Sequence, residues 1–207
     1  MAKPLFSKVV HHARKVAIIG TGSSLKNERL FFTDDVKVLA VNSAIKHHQP
    51  VDFWFTLDPS PSNIEIMKER LFGVAYYAAV PHEFDVVADH VRHLVRVTGD
   101  GHGRYKTRAG LCRDKGGIHT GNSAFGALQL AVHMGAEYIG LFGIDGHGDY
   151  HYGGAPRNLT MMPELFASTV DELDQLGIEV VNGSPTSTVT CFPRMPAREA
   201  MDWLCAK

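Results

Sequence analysis

Short apolar runs recur along the chain, and few of them alternate with polar residues. They read KVAIIG (15–20), VKVLAVN (36–42), VDFWFTLD (51–58), GVAYYAAV (73–80), HLVRV (93–97), EYIGLFGID (137–145) and IEVVN (178–182). Continuous apolarity over four to eight residues marks strands covered on both faces, because a strand with one wet face alternates. Helix-spaced segments lie between these runs: SNIEIMKERL after Pro61, HEFDVVADHV after Pro81, TGNSAFGALQLAVHMGA, MPELFASTVDELDQLG and the terminal AREAMDWLCA. Gly135 and Gly177 stand where two of these helices stop. Strand then helix, repeated, predicts an α/β fold: a doubly wound, Rossmann-like, mostly parallel sheet in a single domain over 1–207. One connection, 99–117, is too long for routine use. It carries Arg104, Lys106, Arg108, Arg113 and Lys115, the pattern either of a lid that closes over an anionic ligand or of a solvated excursion.

In open parallel sheets ligands bind beyond the carboxyl ends of the strands, so the polar residues that follow each run are the site candidates. After the first run comes GTGSSLKN. Gly20 and Gly22 let backbone N–H groups approach an anion, and Ser23 and Ser24 add hydroxyls, although the same residues also suit a tight turn. The stretch lacks the GK[ST] of a P-loop, and Leu25 replaces the third glycine of GxGxxG. Asn42 and Ser43 follow the second run and Asp58 the third. Thr120, Gly121, Asn122 and Ser123 open a helix whose dipole favours an anion, while Gly126, Ala127 and Ala131 read as its packing face. After the sixth run stands GIDGHGDYHYGG. Extended chain would put Asp145, His147, Asp149 and His151 on one face, as metal ligands or as groups for acid–base chemistry. The interleaved glycines favour a turn-rich loop instead.

Composition narrows the field. The 207 residues are 44% hydrophobic, enough for one full core, and a net charge of −1 argues against duplex nucleic acid or an anionic membrane as the main partner. Cys112, Cys191 and Cys205 have no CxxC spacing, so neither a disulfide framework nor a thiolate zinc site is expected, and a reducing, cytoplasmic setting is. No run approaches the roughly 18 apolar residues of a membrane span, and the first fifteen residues lack a signal-peptide core. The stretch HHARK (11–15) is expected to be solvated. His133, late in a helix, is expected to be a cation favoured by the dipole.

The motifs GTGSSL, LAVNSAI, VDFWFTLDP and TGNSAFGALQLAVHMGAEYIGLFGID, in that order, resemble a superfamily with several branches. These are the family 42 sialyltransferases, the motility accessory factor glycosyltransferases, and the 6-hydroxymethylpterin diphosphokinase-like proteins. The resemblance covers roughly 15–60 and 118–155. It implies a transferase with a nucleotide-activated small-molecule donor, with Gly20, Gly22 and Ser24 against the donor phosphate and Asn42 on the nucleotide or sugar. In the sialyltransferase-like branch it implies no cofactor, with tyrosines after GID, here Tyr150 and Tyr152, stabilising the leaving phosphate. That family's basic histidine lies further downstream, where this chain has none, so His147 or His151 would take the role. The diphosphokinase branch implies Mg2+ between Asp58 and Asp145. A non-catalytic nucleotide-binding module is the third reading. The acceptor is not specified, and the chain is short for a transferase with a separate acceptor domain, which a small acceptor, a partner chain or a homo-oligomer would compensate.

Overall fold

The computed structural model describes residues 8–48, 50–80, 88–100, 106–147 and 159–207. The first strand, β1 (Lys15–Ile19), is followed by β2 (Val36–Val41), β3 (Phe53–Thr56), α1 (Pro61–Lys68), β4 (Ala75–Ala78), β5 (Val91–His93) and β6 (Val95–Val97). The chain continues through β7 (Gly117–His119), α2 (Ser123–His133), β8 (Tyr138–Phe142), α3 (Met162–Ala167), α4 (Val170–Gln175), β9 (Glu179–Asn182) and α5 (Ala197–Ala206). Seven strands form one parallel sheet in the order β5-β4-β3-β2-β1-β8-β9, and β6 pairs with β7 in a separate two-stranded parallel sheet. This is the expected doubly wound α/β architecture.

The order reverses beside β1, whose neighbours are β2 on one side and β8 on the other. Such a switch point leaves a crevice at the strand ends, because the connections from the two adjacent strands depart in opposite directions. The strand sequences are apolar throughout because successive residues feed two cores. Phe53 and Phe55 pack with α2 on one face, while Trp54 packs with Ile66 and Met67 of α1 on the other. Gly126 of α2 lies so close to the sheet that a Cβ there would stand 2.6 Å from the Phe55 ring. The small-residue face expected at Gly126, Ala127 and Ala131 is thus a packing face, with both alanines fully buried.

Several local expectations are corrected. HLVRV is two strands, not one: the chain leaves the main sheet at the buried Leu94, and β6 finds its partner in β7, which no apolar run announced. The helix expected after Pro81 lies mostly outside the described residues, but it does not reach Val91, which begins β5. The segment 162–176 is two helices, interrupted where the hydroxyls of Ser168 and Thr169 bond back to Leu165 O and Phe166 O, a local competition that bends helices. HHARK is solvated only at His12 and Arg14. The Nδ1 of His11 lies 2.7 Å from the Tyr77 hydroxyl, and the ammonium of Lys15, 6% exposed, pairs with Asp35 and holds that carboxyl down to about 2.

His133 is buried with Nε2 on Gly117 O, and burial lowers its pKa, so it is a neutral core residue, not a dipole-stabilised cation. In the long connection, residues 101–105 lie outside the described set, and 106–116 is a strap. Gly110 N, Leu111 N and Cys112 N donate to Ser168 Oγ, Glu172 Oε1 and Gln129 Oε1. No helix among the described residues is long and apolar enough to cross a membrane.

Two outcomes follow from this packing. Gly126→Ala is expected to destabilise the protein by about 1–3 kcal/mol in urea titrations, through overpacking against Phe55. For pH, the folded chain resists protonating His133 while the unfolded chain takes up its proton near 6.5. The stabilisation is therefore complete above that pH and is lost as the pH falls through 6.5 to the lower folded value. Urea midpoints measured from pH 8 to 5 should fall in the acid range, and His133→Gln should flatten that fall.

Candidate functional site

At the switch point the tips of β1 and β8 continue to bond past the strands themselves. Gly20 N donates to Phe142 O at 2.8 Å and Gly22 N to Gly143 O at 2.9 Å. This closeness explains both glycines. A Cβ on Gly20 would stand 2.5 Å from Gly143 O, and one on Gly22 would stand 2.5 Å from the Asp145 carboxyl carbon. The turn is thus shaped by its own neighbours, and besides the two glycine amides it spends two more within the chain: Ser24 N donates to Asp145 Oδ2 and Leu25 N to Gly22 O.

Asp145 is the hub. Only 3% exposed, its carboxylate accepts Ser24 N at 2.8 Å, Ser24 Oγ at 2.5 Å and Ser184 Oγ at 2.7 Å. Three of about four carboxylate acceptor positions are filled by protein donors. The run SPTST (184–188) beyond β9 braces the same loop from the other side. Ser187 Oγ donates to Ile144 O, Thr188 N to Asp145 O, and the Nε2 of His147 lies 2.7 Å from Thr186 O. Sequence reasoning missed this run, although it stands at a strand tip as the other candidates do.

The opposite wall is built by β3, β6 and α2. Asn42, with φ of 54°, adopts the left-handed region where few non-glycine residues sit; its Oδ1 accepts from Thr56 Oγ1 and its carbonyl from Trp54 Nε1. Asn122 caps α2, its Oδ1 accepting Phe125 N at 2.8 Å, and its Nδ2 is buried with no hydrogen-bond partner among the described residues. Ser123 Oγ accepts from Leu57 N. Arg96 of β6 donates from Nη1 to Leu57 O and from Nε to Thr120 Oγ1, both at 3.1 Å. The sequence hid Arg96 inside a run read as one strand.

Between these walls lies a cavity of about 430 Å³, the size of small-molecule sites. Of the predicted residues it is lined by Gly20, Gly22, Asn42, Asp58, Gly121, Asn122, Ser123, Asp145 and His147, and in addition by Arg96, Leu159, Met161 and Met162. Ser23, Ser24, Ser43 and Thr120 do not line it. Ser23 is exposed, and Ser24 and Thr120 serve Asp145 and Arg96. Asp149, Tyr150, His151 and Tyr152 lie outside the described residues, so the alternating Asp/His pattern is seen only as far as His147. Among the described residues no group of three or more His, Cys, Asp or Glu gathers as metal ligands. Of the two carboxylates that line the cavity among the described residues, Asp145 already accepts from an amide and two serine hydroxyls.

No family model matches the chain, and no curated protein matches it in sequence. Its fold is similar to that of the MAf glycosyltransferase from Magnetospirillum magneticum AMB-1, with a TM-score of 0.57 and 13% identity over 96% of this chain and 37% of that one. The chain therefore spans little more than a third of that protein's length, and the likeness is one of fold.

The hub predicts a graded loss of stability. Asp145→Ala, which strands three donors, should cost about 3 kcal/mol in urea unfolding, and Ser184→Ala, which removes one donor, about 1 kcal/mol. Hydrogen exchange at the Ser24 amide should accelerate in the first variant and stay slow in the second.

Proposed function

We propose that the protein is a glycosyltransferase-like transferase that binds a nucleotide-activated sugar in the crevice beside the β1 and β8 tips. The observation that carries this reading is the cavity at the switch point, with a cation and unspent amides on one wall. Ser123 and Ala124 occupy the first two positions of the eleven-residue α2, whose N–H groups have no acceptor within the helix. Arg96 and the Nδ2 of Asn122 stand beside them. A donor phosphate is stabilised there by fixed dipoles and a guanidinium. The glycine turn, with the Gly20, Gly22, Ser24 and Leu25 amides committed, shapes the floor of the crevice. Leu159, Met161 and Met162 offer an apolar surface for a base or sugar face.

The likeness in fold to a glycosyltransferase supports the same reading, and the motif order after the first, second, third and eighth strands favours a CMP-linked donor of the sialyltransferase type. Arg96 supplies positive charge from the chain itself, so the reading needs no metal. The Mg–ATP diphosphokinase reading is the weaker one, since among the described residues Asp58 is the one cavity carboxylate not already engaged by serine donors. The unspecified acceptor is proposed to be small, or to be presented by a partner or a second copy of the chain. A reducing, cytoplasmic setting belongs to the same proposal, consistent with Cys112, Cys191 and Cys205 as free thiols.

A thermal-shift series with CMP, CDP, UDP, GDP and ATP, each with and without magnesium, tests the proposal through ligand linkage. Stabilisation by CMP or CDP without magnesium is expected, and Arg96→Lys, which loses the forked donor geometry, should weaken that binding roughly tenfold or more. A shift with ATP only in the presence of magnesium would move the assignment to the diphosphokinase. Binding of a nucleotide without turnover of its sugar conjugates would mark a non-catalytic module. Silence across the series would remove all three.

A further inference from the structure

We propose that His147 is the general base of this site, acting through Nδ1, with the carbonyl of Thr186 as the group that orients it. The inference rests on the transferase reading and adds to it the residue that activates the acceptor.

The geometry fixes the tautomer. A carbonyl oxygen can only accept, so the 2.7 Å contact between Nε2 and Thr186 O places the hydrogen on Nε2. In the neutral ring the lone pair is then on Nδ1. A base held by a third group through its other nitrogen is the arrangement that nucleophile-activating histidines require.

The orienting carbonyl is itself immobilised. Its loop is tied down by Ser184 on Asp145, by Ser187 on Ile144 O, by Thr188 on Asp145 O, and by Arg194 Nη1, which donates to Pro185 O and Ser187 O. His147 is exposed and lines the cavity, so it is reachable by an acceptor. Of the two carboxylates that line the same cavity among the described residues, Asp145 is already occupied by an amide and serine hydroxyls.

The step balances as follows. The acceptor hydroxyl gives its proton to Nδ1, and its oxygen forms the bond to the anomeric carbon of the donor. The bond from that carbon to the phosphate oxygen breaks, and its electron pair leaves with the nucleotide, whose charge rests at the start of α2. The imidazolium then returns its proton to solvent. With water as acceptor the same step is donor hydrolysis, which gives a probe that does not require the natural acceptor.

Hydrolysis of CMP-, UDP- and GDP-sugars is measured for the full chain, for His147→Ala, His147→Gln and Asp58→Asn, with donor binding followed separately by thermal shift. His147→Ala is expected to lower the turnover number about 100-fold or more while the donor-induced shift persists, and added imidazole is expected to restore part of the rate. His147→Gln should show the same loss. Nitrogen-15 spectra of the wild-type ring should show the hydrogen on Nε2. Wild-type-like turnover in His147→Ala, no rescue by imidazole, a hydrogen on Nδ1, or a donor that binds without any wild-type hydrolysis would each overturn the base while leaving donor binding intact. A loss confined to Asp58→Asn would transfer the role to Asp58. If no donor binds, the transferase reading fails, and the base role fails with it.

Discussion

The loops that follow β1, β8 and β9 at the carboxyl end of this sheet depend on one buried carboxylate. Asp145 accepts from Ser24 after β1 and from Ser184 after β9, so three loops that leave three different strands are joined at one residue. Burying an acidic side chain is costly unless donors replace its water, and here an amide and two hydroxyls do so. The glycines around it follow as a consequence: Gly22 approaches the carboxylate so closely that no other residue fits. A turn that resembles a phosphate loop in sequence is thus first of all a fitting for an internal anion.

The two walls of the crevice divide the labour. One has its carboxylate, Asp145, and the amides of Gly20, Gly22, Ser24 and Leu25 already paired within the chain. The other carries Arg96, anchored on Leu57 O and Thr120 Oγ1, the start of α2, and an asparagine nitrogen with no partner among the described residues.

How much of this could be read from sequence depended on the kind of signal. Apolar runs gave most of the main-sheet strands and the class of fold, because burial on both faces leaves a mark that survives without neighbours. The strand-tip rule gave six residues that line the cavity, among them Asn42, Asp58 and His147, and the helix start at Gly121, Asn122 and Ser123 gave three more. It failed where periodicity blurred a boundary. Val95–Val97 continues the apolar run of β5, so the change of sheet at Leu94, and with it Arg96, was invisible. SPTST was overlooked because serine and threonine after a strand resemble any surface turn, and only the three-dimensional approach to Asp145 gives them meaning. Lys15 and His11 read as solvated because their partners, Asp35 and Tyr77, lie far along the chain.

The small sheet of β6 and β7 has a mechanical meaning. Through β7 the chain runs directly into Thr120 and α2, and Arg96 is bonded to Thr120, so the cation and the helix start form one rigid piece. The tips of β1, β8 and β9 form another, riveted at Asp145. The two are not independent, because α2 also packs on β1 and β2, so a ligand seated in the crevice presses on groups that share one sheet.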